Sequence, residues 1–567
     1  MLRKVLLPSI LLILAYGFWI SPNFKTIAAG VAIFLFGMLS LEEGFRAFTG
    51  GTLERILRRT TSNTWKSLGF GVVSTTLMQS SSLVSVITIS FLSAGLITLT
   101  AGIGIIFGAN LGTTTGAWLI AGFGLKVNIA AYAMPMLVFG IILLFQSSKA
   151  LKGIGYVLAG LGFLFLGIHY MKEGFETFKD TIDLARFSVP GYPGVLMFTA
   201  LGIFATVVMQ SSHATLVITI TALAANQVTY ENALALAIGA NVGTTITALL
   251  GSMSANESGK RLAVAHLIFN LVTGLIAIAL IYQLVDLVNW LAHIIGIAAE
   301  DYTLKLAVFH TIFNLLGVVL MLPLLNQLVV FLNRLIPEKA PEVDQPLYLT
   351  QSSAAFPGTA VEAVRNETLR IYESALRIII AGLGMAQPDV LSTVDLKQKL
   401  AGQTRIHAFD MDAMYEKHIK GIYSAIIAFI SDTAFSRREE QAASLQWLRE
   451  ANKYIVEAVK DTKHLQKNLL RYVGSDNASM HAAYNDLRLQ IAGTVRELEE
   501  MRGSGGGVVD LLSLDALKLM VDEEQDKINN TMTELIGRRM ITPMMGSSLL
   551  NDSVYAHDIA TNLIHAA

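Results

Sequence analysis

Two short polar runs stand inside stretches that are otherwise apolar: Gln79-Ser80-Ser81-Ser82 and Gln210-Ser211-Ser212. Serine hydroxyls donate to oxyanions, and glutamine carbonyls accept cations. A chain break at such a run also frees backbone N–H groups that attract an anion at the next helix start. Each run is followed by a second polar segment, Gly108-Ala109-Asn110-Leu111-Gly112-Thr113-Thr114 and Gly239-Ala240-Asn241-Val242-Gly243-Thr244-Thr245. These segments supply further oxygens, and their glycines permit local unwinding. No Asp, Glu, Lys or Arg occurs in residues 67–125 or 187–230, gaps of 59 and 44 positions. A cation bound in either core is therefore held by neutral oxygens, which suits Na+ better than a carboxylate proton relay. Two facing tips could wrap a small tetrahedral anion from both sides.

Ser, Thr, Gly and Asn also pack membrane helices, and a single such run would be read that way. Two long polar motifs repeated in register favour a binding role. His213 stands where the first run has Ser82. It is read as a core histidine or a modulator of the site. His266 with Asn270, and His310 with Asn314, stand four residues apart and so share a helix face; interhelical hydrogen bonding is the first reading for them. A Ser/His pair raises intramembrane proteolysis, but neither serine lies in a G-x-S-x-G turn. No enzyme is expected.

The elements that must position these residues are membrane helices. Residues 1–335 hold 30 charged side chains, about 9%, and the other 232 residues hold 55, about 24%. A third uncharged gap covers residues 306–333. All three gaps exceed the roughly 18 residues that mark a membrane span. A soluble enzyme and a disulfide scaffold fit poorly, since there is no cysteine, and a net charge of −1 offers nucleic acid no basic footprint. The second part has the charge content of a soluble domain.

Residues 67–96 and 194–224 each carry a polar run at the centre, with about a dozen apolar residues on either side. Half that length does not cross a hydrocarbon core of about 30 Å, so each is expected to enter and return as a re-entrant hairpin. The loop Arg46–Lys66, with Arg55, Arg58 and Arg59 against Glu54, is assigned to the cytoplasm by the positive-inside rule. Eight crossings plus two hairpins follow, with both ends cytoplasmic. The segment Val5–Ile20 is taken as an uncleaved first helix in preference to a signal peptide.

Sliding the chain by 131 residues places Gln79 on Gln210 and Asn110 on Asn241, and 21 of 49 positions from Gly71 to Leu119 match. An offset of 130 puts Gly37 on Gly167 and Glu43-Gly44-Phe45 on Glu173-Gly174-Phe175. With the loop charges, this predicts two inverted repeats, a layout common in secondary transporters. A shorter echo at 44 residues relates Leu262–Leu271 to Leu306–Leu315.

These motifs resemble the type II sodium-dependent phosphate cotransporters across the membrane part. The resemblance implies cotransport of inorganic phosphate with Na+ as coupling ion and no other cofactor. It makes Gln79, Ser80, Ser81, Ser82, Gln210, Ser211 and Ser212 phosphate ligands. The two glutamines with Asn110, Thr113, Thr114, Asn241, Thr244 and Thr245 become cation ligands. The family often has a third serine in both hairpins, so His213 is a departure. A membrane phosphate sensor, or a Na+-coupled carrier of another oxyanion, are the alternatives.

The expected organisation is all-α: an N-terminal helix (1–25), repeat 1 (26–152), repeat 2 (153–335), a linker (336–358), a cytoplasmic helical bundle (359–545) and a tail (546–567). Amphipathic spacing from Val361 to Ile379 and beyond supports the bundle. Its position resembles the PhoU-like domain that follows many bacterial members, which implies a regulatory partner or self-association. Asp410, Asp412 and Glu416, or Asp522, Glu523, Glu524 and Asp526, are weak metal candidates; a solvated acidic face is the first reading. The setting implied is the bacterial inner membrane.

Overall fold

The computed structural model describes residues 2–48, 61, 63–125, 129–179, 187–337, 343–403, 405–433, 439–504 and 511–567. No strand occurs among the described residues. They form two units, Met1–Glu338 with Thr350–Gly358, and Lys339–Leu349 with Thr359–Ala567.

In the first unit α1 (Leu2–Ile20) and α2 (Pro22–Phe48) precede a hairpin of α3 (Thr64–Met78) and α4 (Ser81–Ser93). Next comes α5 (Leu99–Gly112), which continues through a short helix, Thr114–Trp118, into a π-helical turn, Leu119–Gly124. After α6 (Ile129–Leu144) and α7 (Lys149–Lys179) the pattern recurs: a hairpin of α8 (Gly191–Met209) and α9 (Ser212–Ala224), then α10 (Tyr230–Ser252). The unit closes with α11 (Glu257–Ala279), α12 (Ile281–Ile294), α13 (Tyr302–Met321) and α14 (Leu325–Leu335). Large apolar side chains such as Phe36, Phe139, Phe204 and Val319 are exposed. That surface suits lipid and not water.

Among the described residues seven helices are long and apolar enough to cross a membrane: those over Pro22–Phe45, Leu99–Gly122, Lys149–Thr177, Gly191–Met209, Tyr230–Ser252, Glu257–Ala279 and Tyr302–Met321. The chain is a multi-pass, all-α membrane protein. Two expectations change. Three hairpin legs, of 15, 13 and 13 residues, are near the expected dozen, whereas α8 has 19 and the length to span. The uncharged gap over residues 306–333 falls on two helices, because Pro323 cannot continue α13. Arg55, Arg58, Arg59 and Glu54 lie outside the described residues.

The two copies pack alike. A Cβ on Gly71 would lie 2.1 Å from the Ile105 carbonyl oxygen, and one on its mate Gly202 2.4 Å from that of Leu236. Gly108 meets Leu68 O at 2.0 Å, and Gly239 meets Thr199 O at 2.1 Å, on the same measure. Backbone contact this close explains why glycine recurs at these positions. Between the copies, α2 and α7 run antiparallel along a glycine seam. Cβ atoms on Gly30, Gly37 and Gly44 would lie 2.8, 2.7 and 2.9 Å from the carbonyl oxygens of Gly167, Gly160 and Gly153.

The second unit is a helical bundle whose longer members are α15 (Pro357–Gly382), α16 (Gly421–Thr433), α17 (Glu439–Tyr472), α18 (Ala478–Ser504), α19 (Leu511–Gly537) and α20 (Pro543–Ala566). Its core is apolar, with Ile371, Ile455, Tyr484 and Ile559 buried. Residues 546–567 are no tail: they form most of α20, which buries Leu549, Ala556 and Leu563 because its apolar face completes the core. The expected linker divides. Residues 343–349 pack on the bundle, where buried Glu367 accepts from Leu347 N and Tyr348 N at 3.0 Å each and pairs with Arg370. Ser352 bonds Ser254 at 3.1 Å in the first unit. Residues 338–342 and Gly505–Gly507 lie outside the described residues.

Candidate functional site

Both hairpin tips have the same backbone. Gln79 and Gln210 end α3 and α8 in the left-handed region, at φ 52°, ψ 25° and φ 53°, ψ 26°. A non-glycine residue there costs about 1 kcal/mol, and such strain gathers at functional sites. Ser80 and Ser211 follow in extended conformation and cap α4 and α9, accepting from Leu83 N and Ala214 N at 3.2 and 3.1 Å. By helix geometry the next N–H groups, on Ser81 and Ser82 and on Ser212 and His213, have no acceptor within their helix. Each tip therefore presents serine hydroxyls, free amides and a positive helix end.

The tips face one cavity of about 320 Å3. Gln79, Ser80, Ser81, Ser82 and Thr113 line it from the first copy, and Gln210, Ser211, Ser212 and His213 from the second. One face of α2 forms another wall through Leu35, Met38, Leu39 and Glu42, spaced as a helical stripe. Ser211 Oγ stands 3.7 Å from Met38 Sδ. Glu42 sets a carboxylate in the cavity wall beside the expected neutral oxygens. The uncharged gaps belong to the hairpins, whereas the carboxylate arrives from a helix outside them.

The second motif is only partly at the cavity. Thr113 lines it, with its hydroxyl proton on Asn110 O at 2.6 Å, so that its lone pairs remain available. Thr114 and Thr245 likewise donate to Leu111 O and Val242 O, and both are buried. Thr244 links the copies: its Oγ1 is 3.4 Å from Ser82 Oγ and 3.4 Å from Ser212 Oγ. Asn241 is held at both ends of its amide, donating to Asn314 Oδ1 at 2.8 Å and meeting His310 Nε2 at 3.1 Å through its own Oδ1. Asn110 Nδ2 instead turns back to Ile106 O at 2.9 Å. His266 and Asn270, on α11, are buried, with neither ring nitrogen of His266 and not the Asn270 Oδ1 bonded.

Three contacts that sequence reasoning missed cross between the copies. Thr247 Oγ1 donates to Ser82 Oγ at 3.1 Å. The His213 ring stacks on Phe34 at 5.7 Å and lies over Gly116, beside Gln79 Oε1. Trp118 Nε1 donates to Thr311 Oγ1 at 2.9 Å. Only the helical stripe through Leu35 and Glu42 left a readable signal, and it points equally to plain packing.

The acidic candidates in the bundle do not assemble. Asp410 caps a helix through Ala413 N, Asp412 pairs with Lys463, Glu416 with Lys420, and Asp522 with His557. Among the described residues no three His, Asp or Glu side chains are placed to hold a metal ion, so Glu523, Glu524 and Asp526 find no partners for one. Lysines have claimed Asp412 and Glu416, and a helix start has claimed Asp410.

Residues 33–173 and 194–320 match the family described as Na+/Pi-cotransporter. A Salmonella typhimurium protein named "Putative inorganic phosphate export protein YjbB" is 26% identical over 275 residues, 47% of this chain and 48% of that protein. Its Escherichia coli K12 namesake is 27% identical over 269 residues, 46% and 47% of the two chains. "Uncharacterized protein YqeW" of Bacillus subtilis is 26% identical over 250 residues, 42% of this chain and 76% of that one. The match thus spans about half the length of the phosphate-export relatives. No solved structure matches. By the match over residues 33–173 and 194–320, which holds both tips, the membrane part of this chain belongs to the Na+/Pi-cotransporter family.

Proposed function

We propose that the chain is a secondary transporter that moves inorganic phosphate coupled to Na+ by alternating access between two inverted repeats. The observation that carries this is the single cavity shared by both Gln-Ser-Ser tips. Serine hydroxyls and free helix-start amides from two sides suit a tetrahedral oxyanion. Gln79, Gln210, Thr113 and Glu42 offer oxygens for a cation. Bound Na+ would screen the phosphate from Glu42, so that each ion raises the affinity for the other. The antiparallel seam of α2 and α7 supports the inverted layout.

Labelled phosphate flux in proteoliposomes, measured as uptake and as efflux with the Na+ gradient in either direction, tests the reading. Efflux is included because two relatives are named for phosphate export. Na+-stimulated flux that Gln79→Ala and Gln210→Ala abolish is expected. Flux indifferent to Na+ or to both substitutions rejects it, and competition by arsenate or sulfate identifies another oxyanion. The bundle is read as a PhoU-like regulatory module. Cytoplasmic termini and the bacterial inner membrane complete the proposal.

A further inference from the structure

The repeats agree closely where each hairpin packs on its own Asn helix and disagree in how the two motif asparagines are held. Asn241 on α10 is held by His310 and Asn314 of α13, at 3.1 and 2.8 Å. Their mates by the 131- and 44-residue offsets are Asn110 on α5 and His266 and Asn270 on α11. Those two helices also lie together: Leu262 reaches within 3.3 Å of a Cβ on Gly102, and Phe107 stacks on Phe269 at 4.5 Å. Asn110 lies one turn beyond Phe107 and Asn270 directly follows Phe269, so both stand on the same side of that ring contact. Yet Asn110 bonds its own helix, and both ring nitrogens of buried His266 and the Asn270 Oδ1 have no partner, against His310 Nδ1 alone in the other cluster.

Buried polar groups left without partners cost about 1–3 kcal/mol each, so such an arrangement is poised to change. We propose that Asn110–His266–Asn270 and Asn241–His310–Asn314 are two equivalent latches, of which one is closed at a time. A closed latch occupies its asparagine oxygen, and an open one releases that oxygen to the cation. His266, Asn270, His310 and Asn314 are then positioning residues that act through Asn110 and Asn241. Exchange of the closed latch from α13 to α11 accompanies the turnover of the site. Interfaces with two discrete packings, and not continuous deformation, are what such a switch requires.

The proposal rests on the transport reading above, so its test includes a readout that needs no flux. The chain has no cysteine, which makes single cysteines clean reporters. Thr113→Cys and Thr244→Cys stand at mated positions, the first lining the cavity and the second buried beside Asn241. With a small thiol reagent on the purified full chain, Thr113→Cys is expected to react about tenfold faster than Thr244→Cys. Adding His310→Leu should speed Thr244→Cys about fivefold, the equivalent of one lost hydrogen bond. His310→Gln, which keeps a donor for Asn241, should leave it slow, and so should His266→Leu, which affects only the open latch. In proteoliposomes His310→Leu should lower the half-saturating Na+ concentration while the maximal rate falls; His310→Gln should restore both. Equal labelling of the two cysteines, or Leu and Gln at position 310 behaving alike, overturns the latch. Absence of Na+-dependent flux in the unmodified protein rejects the transport reading, and the labelling still decides the latch.

Discussion

The His213 imidazole covers Gly116 so closely that a Cβ there would lie 1.8 Å from its Cε1. The mate of Gly116 is Thr247, and the mate of His213 is Ser82. Thr247 and Ser82 meet by a 3.1 Å hydrogen bond. Each copy thus offers its third tip position to the other copy, with a large residue on a small one in one half and two small polar residues in the other. The departure of His213 from the repeat is matched by a second departure across the interface.

Gly116→Ala should therefore abolish phosphate flux although alanine favours a helix by about 1 kcal/mol. The added carbon collides with His213 and would stand 2.8 Å from Gln79 Oε1. The double variant His213→Ser with Gly116→Thr rebuilds the pairing of the other half and should recover flux well above that of Gly116→Ala. Flux assays of all three, at matched incorporation, check this. No loss in Gly116→Ala would remove the packing account.

Replacing Gln79 or Gln210 by glycine should keep or raise the melting temperature, since glycine relieves about 1 kcal/mol of left-handed strain. The same change removes a cavity ligand, so phosphate flux should fall to background. Gln79→Val, which keeps a Cβ and adds branching, should lower the melting temperature as well. A glycine variant with flux intact would show that the glutamine is there for the turn and not for the ion.

Glu42→Gln removes the one carboxylate among the described residues lining the cavity. Two opposite charges in a partly solvated site attract by a few kcal/mol at most, and screening reduces the net effect to about 1 kcal/mol. The half-saturating Na+ concentration should then rise about fivefold with the maximal rate little changed. Titration of flux with Na+ at saturating phosphate measures it, and an unchanged value would exclude Glu42 from the cation's surroundings.

In the bundle, burial and the neighbouring Asp558 raise the Asp461 carboxyl to about 6. A raised acid favours the folded state in its protonated form. Its contribution is present below the ordinary carboxylate range, about pH 4, and is lost as pH rises through 6. Asp461→Asn should therefore raise the melting temperature of the full chain at pH 7.5 and leave it nearly unchanged at pH 4. A uniform shift across pH would assign the effect to packing.

Repetition made the tips legible. Gln79 and Gln210 are found by sliding the chain on itself, and both hold the same unusual backbone. What lay between the copies was not legible. Glu42, Gly116 and Thr247 reach the site only through the way one repeat is set against the other, and no spacing along the chain encodes that. The same holds for Asn110 and Asn241, identical in motif and different in partners. Residues 546–567 were misread because α20 is too mixed in composition to announce a buried face.

The glycine seam carries a consequence about origin. Gly30 faces Gly167 and Gly37 faces Gly160, while the 130-residue offset maps Gly30 onto Gly160 and Gly37 onto Gly167. The pairing is reciprocal: each patch meets its own copy, which is the form of an isologous dimer contact. A half-length ancestor could have made this contact with a second molecule inserted the other way up. Only when both halves lie in one chain can they differ, as they do where Ser82 meets Thr247 and His213 covers Gly116.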